Sequence, residues 1–469
     1  MPHLAPASVL IGLLHLLPAA VSRAAPEPAA VPAPQFVGGA SREVLAGDVV
    51  EVKLEGLPRQ SEIELRAERV VFARLLGGKR VLFRSQARFQ VGPDGRLDLA
   101  TARPLAGSYT GVDPRGLFWS MQASDEPVAS AAAIGEVRIG AWAGATELAH
   151  LRVKFRTTIA GLRREEIAEF PGAVLLQPPP DVPGKGRRKR GVIVLLGGAE
   201  GGSQAAREEA PKLASRGFVV LGLPYYSPPA MPGGPRELPA LPADFADIPL
   251  ERLQQLRDWI ATREDLDARR IVLYGVSKGA EYALLAASHY DWVHAVVAVA
   301  PSDVVWEGFG WGVGTAGTRA SFALDGKPLP FLPMHGFIEE YTAFFSGGDL
   351  HLRRPHDQGR AAFPERVAAA RIPVERFKGP LLLLAGQDDQ LWNAAAMAHN
   401  ILERRVAAGL PTIARIYSDA GHYLNGNGWA PTTHYDAGRE KSGGTPAGNA
   451  RAQADAWQHL QDFLAAHAR

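Results

Sequence analysis

The sequence predicts two domains: an antiparallel β-sandwich, then an α/β domain built on a mostly parallel, doubly wound sheet. Three observations carry that expectation. Short segments that alternate apolar and polar residues fill the early part of the chain. Short, continuously apolar runs separated by helical patterns fill the later part. A Gly-x-Ser-x-Gly pentapeptide stands between one such run and one such helix.

The alternating segments come first. Val49–Leu57, Glu62–Ala67, Val81–Phe89, Gly135–Ile139 and Leu151–Phe155 each repeat with period two, as strands with one buried face do. Turn residues separate them, notably Gly92-Pro93-Asp94-Gly95. Many short strands without long helical patterns predict a sandwich over residues 36–171.

A change of pattern near Gly172 marks the second domain, expected over 172–469. Gln177-Pro178-Pro179-Pro180 and the basic loop Lys185–Arg190 flag the boundary. Such a basic run reads as a solvated surface loop before it reads as an anion site. Beyond it, Gly191–Leu196, Gly217–Leu223, Ile271–Tyr274, Ala295–Ala300 and Leu381–Ala385 are apolar throughout, as strands covered on both faces are. Helical patterns at Leu250–Ala261, Ala280–Ser288 and Ala394–Val406 alternate with them, which predicts helices on both sides of the sheet.

Composition bounds the function. The chain has 469 residues, 46% of them hydrophobic, enough for more than one core. A net charge of +2 argues against general nucleic-acid binding. No cysteine is present, which excludes disulfides, thiolate metal sites and a cysteine nucleophile. His, Asp and Glu show no clustered ligand spacing such as H-E-x-x-H, so neither a metal nor an organic cofactor is expected.

The apolar run Val9–Leu17, followed by small residues up to Ala24, has the length of a secretory signal and is too short for a stable membrane span. Residues 1–24 are therefore read as a signal peptide and 25–35 as an Ala/Pro-rich tether. Export to the periplasm or outside the cell is expected. Met1–Ser8 departs from the pattern, with His3 in place of any Lys or Arg.

The chemistry gathers around Ser277. Gly275-Val276-Ser277-Lys278-Gly279 directly follows an apolar strand and precedes a helix, the context of the nucleophile elbow of α/β-hydrolases. The sharp turn lifts the hydroxyl above the sheet, and the glycines on either side relieve crowding. A serine hydroxyl needs a base, and in this fold acid and histidine follow the serine in chain order. Of thirteen histidines, His422 lies in a loop after the last apparent strand, Thr412–Tyr417. His335 and His434 are its loop rivals. His399, His459 and His467 fall in helical patterns. The strand Leu381–Ala385 leads into Gly386-Gln387-Asp388-Asp389, which offers two carboxylates. Asp389 is the expected acid, while Asp388 would brace the loop or cap a helix. The oxyanion hole would take one N–H from Lys278 and a second from the glycine-rich loop Gly197–Gly202, either Ala199 or Gly198. That loop lacks a P-loop pattern, so no nucleotide site is expected.

Together these residues resemble a family, the acyl-CoA thioesterases and bile acid-CoA:amino acid N-acyltransferases. The resemblance spans nearly all of the chain after the signal-like segment. It is carried by Phe83–Phe89, Asp94–Leu99, Gly107–Gly111 and Gly116–Trp119 in the first domain. In the second it is carried by Pro224-Tyr225-Tyr226, Gly275–Glu281, Ile372–Glu375, Gly386–Asp389 with Trp392, Gly421-His422-Tyr423 and Arg451–Trp457. It implies an immunoglobulin-like first domain, a triad at Ser277, Asp389 and His422, and a small acyl thioester or ester as substrate. Thioesterases of the family carry serine at the elbow and its transferases carry cysteine, so serine here implies hydrolysis through an acyl-serine. Export would separate the protein from coenzyme A and favour another ester, thioester or amide. Two other readings stand beside this one: acyl transfer to an amine or alcohol, and a non-catalytic binding protein on a hydrolase scaffold. Residues 301–363, with Trp306, Phe309, Trp311, Phe331 and Tyr341–Phe345, form either a cap over an acyl pocket or a structural excursion.

Overall fold

Two patterns of burial divide the chain in its computed structural model, which describes residues 1, 3, 33–76, 78–128, 133–179, 189–313, 318–435 and 437–469. The signal-like segment, most of the tether and most of the basic loop lie outside the described residues.

In the early part, burial alternates residue by residue. Glu62–Ala73 and Lys79–Gln90 form a long hairpin whose inward residues include Ile63, Leu65, Phe83 and Phe89, all fully buried. Glu136–Ala143 and Thr146–Arg156 extend this sheet. A second, three-stranded sheet joins Gln35–Phe36, Lys53–Glu55 and Leu97–Asp98. Phe36, Leu54 and Leu97 share one apolar core with the first sheet, so the two form a sandwich. It departs from an all-antiparallel arrangement at one place. Ser41–Leu45 runs parallel to Thr146–Arg156. The segment Val49–Leu57 supplies only a three-residue strand, although Val50 and Val52 still point inward.

The second domain is built on an eight-stranded sheet. Its strands are β1 (Arg163–Glu166), β2 (Val174–Gln177), β3 (Arg190–Leu196), β4 (Val219–Gly222), β5 (Leu266–Val276), β6 (Val293–Val299), β7 (Leu381–Gly386) and β8 (Thr412–Tyr417). Their spatial order is β1-β2-β4-β3-β5-β6-β7-β8. The pairings from β4 to β8 are parallel, and β1 and β2 add antiparallel at the edge. This is the α/β-hydrolase topology. β1 begins before Gly172, so the sheet starts earlier than the expected boundary. Its sequence, Arg-Arg-Glu-Glu, is exposed throughout and carries no apolar signal.

Both faces of the sheet are covered. Val192, Val194 and Leu196 enter one core, and Ile193 and Leu195 enter the other. Helices α1 (Glu251–Thr262), α2 (Lys278–His289), α5 (Ala394–Ala407) and α6 (Pro446–His467) pack on it, and α3 (Phe337–Phe345) and α4 (Arg353–Ala362) belong to the segment between β6 and β7. The segment between β6 and β7 combines both expectations for residues 301–363. Trp306, Phe322 and Leu332 are core, whereas Phe309, Trp311, Phe337 and Tyr341 line a cavity. No described helix is long and apolar enough to cross a membrane.

Candidate active site

Ser277 stands at the sharp turn between β5 and α2 with φ 56° and ψ −121°, a conformation L-residues rarely adopt. The surrounding structure holds it there. Its N–H bonds the Val299 carbonyl at 2.8 Å, and its carbonyl accepts the Ala280 N–H at 2.8 Å. The two glycines permit the close crossing. A Cβ at Gly275 would collide with the Gly279 carbonyl, and one at Gly279 with the carbonyls of Leu196 and Gly197.

His422 and Asp389 arrive from loops after β8 and β7. The Nδ1 of His422 lies 2.7 Å from Oδ2 of Asp389, and both side chains are buried. Oδ1 of Asp389 accepts the N–H groups of Leu391 at 2.8 Å and Trp392 at 3.2 Å. The two backbone N–H groups thereby fix the carboxylate through Oδ1 and leave Oδ2 to hold the imidazole. Asp388 faces the other way. Its carboxylate accepts the Gly444 N–H at 2.9 Å and Gln390 Nε2 at 2.9 Å. The histidine loop is tied in turn to α6, where Asn449 Oδ1 accepts the Gly421 N–H at 2.8 Å.

Ser277 and His422 line the same cavity of about 830 Å³. Among the described residues no hydrogen bond joins their side chains. His434 also lines the cavity, but its ring packs against Phe83 and Tyr435. Burial pulls its pKa down to about 4. His399 bonds the Ala395 carbonyl within α5, and His459 pairs with Asp455 on α6.

The glycine-rich loop after β3 lies beside Ser277. Tyr225 donates to the Gly197 carbonyl at 2.6 Å and Tyr226 to the Ala199 carbonyl at 2.8 Å, which pins the loop from behind. The two expected donors on it differ. The Gly198 N–H is taken by Glu200 Oε1 at 3.0 Å. Among the described residues nothing takes up the N–H of Ala199 or of Lys278.

Four groups at the site escape a reading of the sequence. Glu200 is one. The Lys278 side chain is another: it turns inward and meets Glu281 at 2.7 Å and Ser321 Oγ at 2.7 Å. Burial pulls the ammonium pKa down and pushes the Glu281 carboxyl up, and each charge opposes the shift of the other. Oε1 of Glu281 accepts the Trp306 N–H at 3.0 Å, which links the elbow helix to the segment above it. His356 is the third, with its ring edge-on to Trp306 and to Trp392. Burial pulls its pKa down to about 3. Phe72 and Leu75, from the hairpin tip of the first domain, are the fourth. Only Glu281, in Ser-Lys-Gly-Ala-Glu one helical turn past Ser277, offered a local signal. Among the described residues no group of three or more His, Cys, Asp or Glu could hold a metal ion.

Comparison with known proteins agrees with this architecture. Residues 248–469 match the family profile described as "BAAT / Acyl-CoA thioester hydrolase C terminal". Residues 48–135 match that described as "Acyl-CoA thioester hydrolase/BAAT N-terminal region". Acyl-coenzyme A thioesterase 6 of Mus musculus is 27% identical over 430 residues, covering 88% of this chain and 92% of that protein. Acyl-coenzyme A thioesterase 5 of the same species is 28% identical over 436 residues, covering 89% and 93%. Acyl-coenzyme A thioesterase 1 of Homo sapiens is 27% identical over 441 residues, covering 89% and 93%.

Proposed function

The chain belongs to the family of acyl-CoA thioester hydrolases and bile acid-CoA:amino acid N-acyltransferases, and from that premise we propose that it hydrolyses an acyl thioester or ester through an acyl-Ser277 intermediate. The observation that carries the proposal is the shared cavity: a strained Ser277 faces it together with His422, whose far nitrogen is held by Asp389.

In this mechanism Ser277 Oγ attacks the acyl carbonyl and gives its proton to Nε2 of His422. Asp389 fixes the Nδ1–H tautomer and stabilises the imidazolium. The oxyanion takes hydrogen bonds from the N–H groups of Lys278 and Ala199, and the positive end of α2 adds to them. His422 then protonates the leaving thiol or alcohol. Water, deprotonated by the same imidazole, releases the acid. The edge-to-face cluster of Trp306, His356 and Trp392 backs His422 and keeps bulk water from that side.

A second reading concerns the leaving group. Among the described residues lining the cavity, the carboxylates are Glu200, Glu208, Glu307, Glu440 and Glu209, the last paired with Lys212, while Lys278 is the sole Lys or Arg and is held by Glu281. That balance favours an uncharged or cationic leaving group over the polyanionic coenzyme A. It accords with export of the chain, which the apolar leader before the tether supports and N-terminal sequencing of the mature protein tests.

The deciding experiment is labelling with a fluorophosphonate, followed by turnover of a pair of substrates. The expected result is one adduct, on Ser277, absent from Ser277→Ala. Absence of the adduct in folded wild-type protein overturns the hydrolase reading. Palmitoyl-CoA and a palmitoyl ester of an uncharged alcohol, compared by kcat/KM, separate the two leaving groups.

A further inference from the structure

The opening of the Ser277 cavity has two lips, one from each domain. The tip of the long first-domain hairpin supplies Phe72 and Leu75. Helix α3 and the segment before it supply Trp311, Phe337, Ile338, Tyr341 and Phe345. Phe337, Tyr341 and Phe345 stand at i, i+4 and i+8, one face of the helix. Their rings form a continuous ladder: Phe309 to Phe337 at 5.8 Å, Phe337 to Tyr341 at 4.8 Å, Tyr341 to Phe345 at 6.2 Å and Phe345 to Trp311 at 5.8 Å.

The inner end of this ladder is core, and the outer end is not. Phe309 stacks on fully buried Phe245 at 5.3 Å. At the rim, Phe72 is 58% exposed, Trp311 49%, Ile338 54% and Phe345 64%. No residue of α3 is buried. Single exposed apolar residues are ordinary on a protein surface. Four large ones around one opening, drawn from two domains, are a patch of the kind that marks an interaction site.

We propose that this rim docks on a phospholipid layer, from which the acyl substrate passes along the aromatic ladder to Ser277. The proposal rests on the hydrolase reading above and adds the physical state of its substrate. What covers the rim must also deliver an acyl group into the cavity, because rim and cavity share the same residues. A lipid layer meets both demands, since its acyl chains cover the outer ring faces and are themselves drawn inward. Trp and Tyr belong at such a boundary, where one end of the side chain is apolar and the other wet. The helix is amphipathic, with Glu339 and Glu340 in its first turn, and such a helix lying flat with its apolar face immersed is a known mode of binding at the membrane surface. Lys79 and Arg80 are exposed at the base of the hairpin tip, and Arg80 pairs across the two strands with Phe72.

The test is co-sedimentation of the full chain with phosphatidylcholine vesicles, with and without phosphatidylglycerol. Wild-type protein is expected to pellet with the lipid. The Phe72→Ser/Phe345→Ser double variant is expected to lose at least about tenfold in apparent affinity, from the apolar surface removed. Circular dichroism and thermal unfolding establish that the variant is folded, which the exposure of both sites favours. Brominated lipid is expected to quench wild-type tryptophan emission, and Trp311→Phe to remove most of that quenching. Wild-type protein that stays in the supernatant overturns the proposal, as does a folded double variant that pellets undiminished. A dimer that the same substitutions dissolve, with no lipid binding by wild type, also overturns it and assigns the rim to a second copy of the chain. Hydrolysis of a soluble butyrate ester by wild type, measured in parallel, keeps the two questions apart. Turnover without lipid binding sinks docking alone, and failure to turn over sinks the hydrolase reading.

Discussion

At the scale of single residues, the site separates neighbours that look equivalent in sequence. Asp388 and Asp389 are adjacent carboxylates in one loop, yet one braces Gly444 and the other holds His422. Asp389→Asn is expected to lower kcat by about 10⁴, because the amide favours the wrong imidazole tautomer. Asp388→Asn should leave kcat within about tenfold and cost about 1 kcal/mol of stability. Steady-state kinetics and urea unfolding of the two variants check this; equal losses of kcat would reverse the assignment. His356 carries a pH effect on stability. Its pKa, ordinarily 6.5, is held at about 3 by burial. Below the ordinary value the unfolded chain binds a proton that the folded chain refuses. Stability therefore falls with acidification through that window and levels off beneath it. The full effect is on the order of 5 kcal/mol. Between about pH 7 and about pH 5, wild-type protein should lose about 2 kcal/mol more than His356→Phe. Parallel slopes for the two proteins would mean that His356 binds its proton equally in the folded and unfolded chains, so that burial does not hold its pKa down.

At the scale of elements, the elbow and the segment above it behave as one piece through Lys278 and Glu281. The pair is buried, and it satisfies both Ser321 Oγ and the Trp306 N–H. Removing one partner leaves an uncompensated charge in an apolar surround, whereas replacing both by apolar groups does not. Glu281→Ala is expected to cost about 3–5 kcal/mol, and Lys278→Met/Glu281→Leu to recover at least half of it. The readout beyond stability is KM. A loosened Trp306 segment opens the acyl side of the cavity, so KM should rise more than kcat falls in the folded double variant. A double variant no more stable than Glu281→Ala would show that the pair contributes by attraction rather than by mutual compensation. The elements themselves were largely legible. The apolar runs of β3 to β7 announce strands buried on both faces, and the helices α1, α2 and α5 begin and end within a few residues of their periodic patterns. β1 was not legible, because an exposed edge strand needs no apolar residue. Nor was the parallel pairing of Ser41–Leu45, because side-chain alternation records a face and not a partner.

At the scale of the whole molecule, the same contrast explains which parts of the site could be read. Ser277, Asp389 and His422 each stand at the end of a strand, so a local motif places each one. Phe72 and Leu75 reach the cavity from another domain, and no local pattern predicts that meeting. The domains are joined by shared packing. Trp429, in the loop that follows His422, is buried in the sandwich core, edge-on to Phe118 at 5.0 Å. Its carbonyl accepts Arg69 Nη1 at 2.9 Å, and the Thr432 N–H bonds the Trp119 carbonyl at 3.1 Å. On the far side Arg216 pairs with Asp48 at 2.6 Å. The first domain thus completes its core with a residue of the second, and the histidine loop is anchored by the first. Trp429→Ala is accordingly expected to cost about 3–5 kcal/mol, the usual range for emptying a buried aromatic site. Because the loss sits in a shared core, calorimetry should show one transition moving to lower temperature rather than two separating. kcat should fall as well, since the loop carrying Tyr423 and His434 along the cavity wall loses its anchor. A sandwich transition that moves alone, with kcat unchanged, would mean that the two domains fold and work independently.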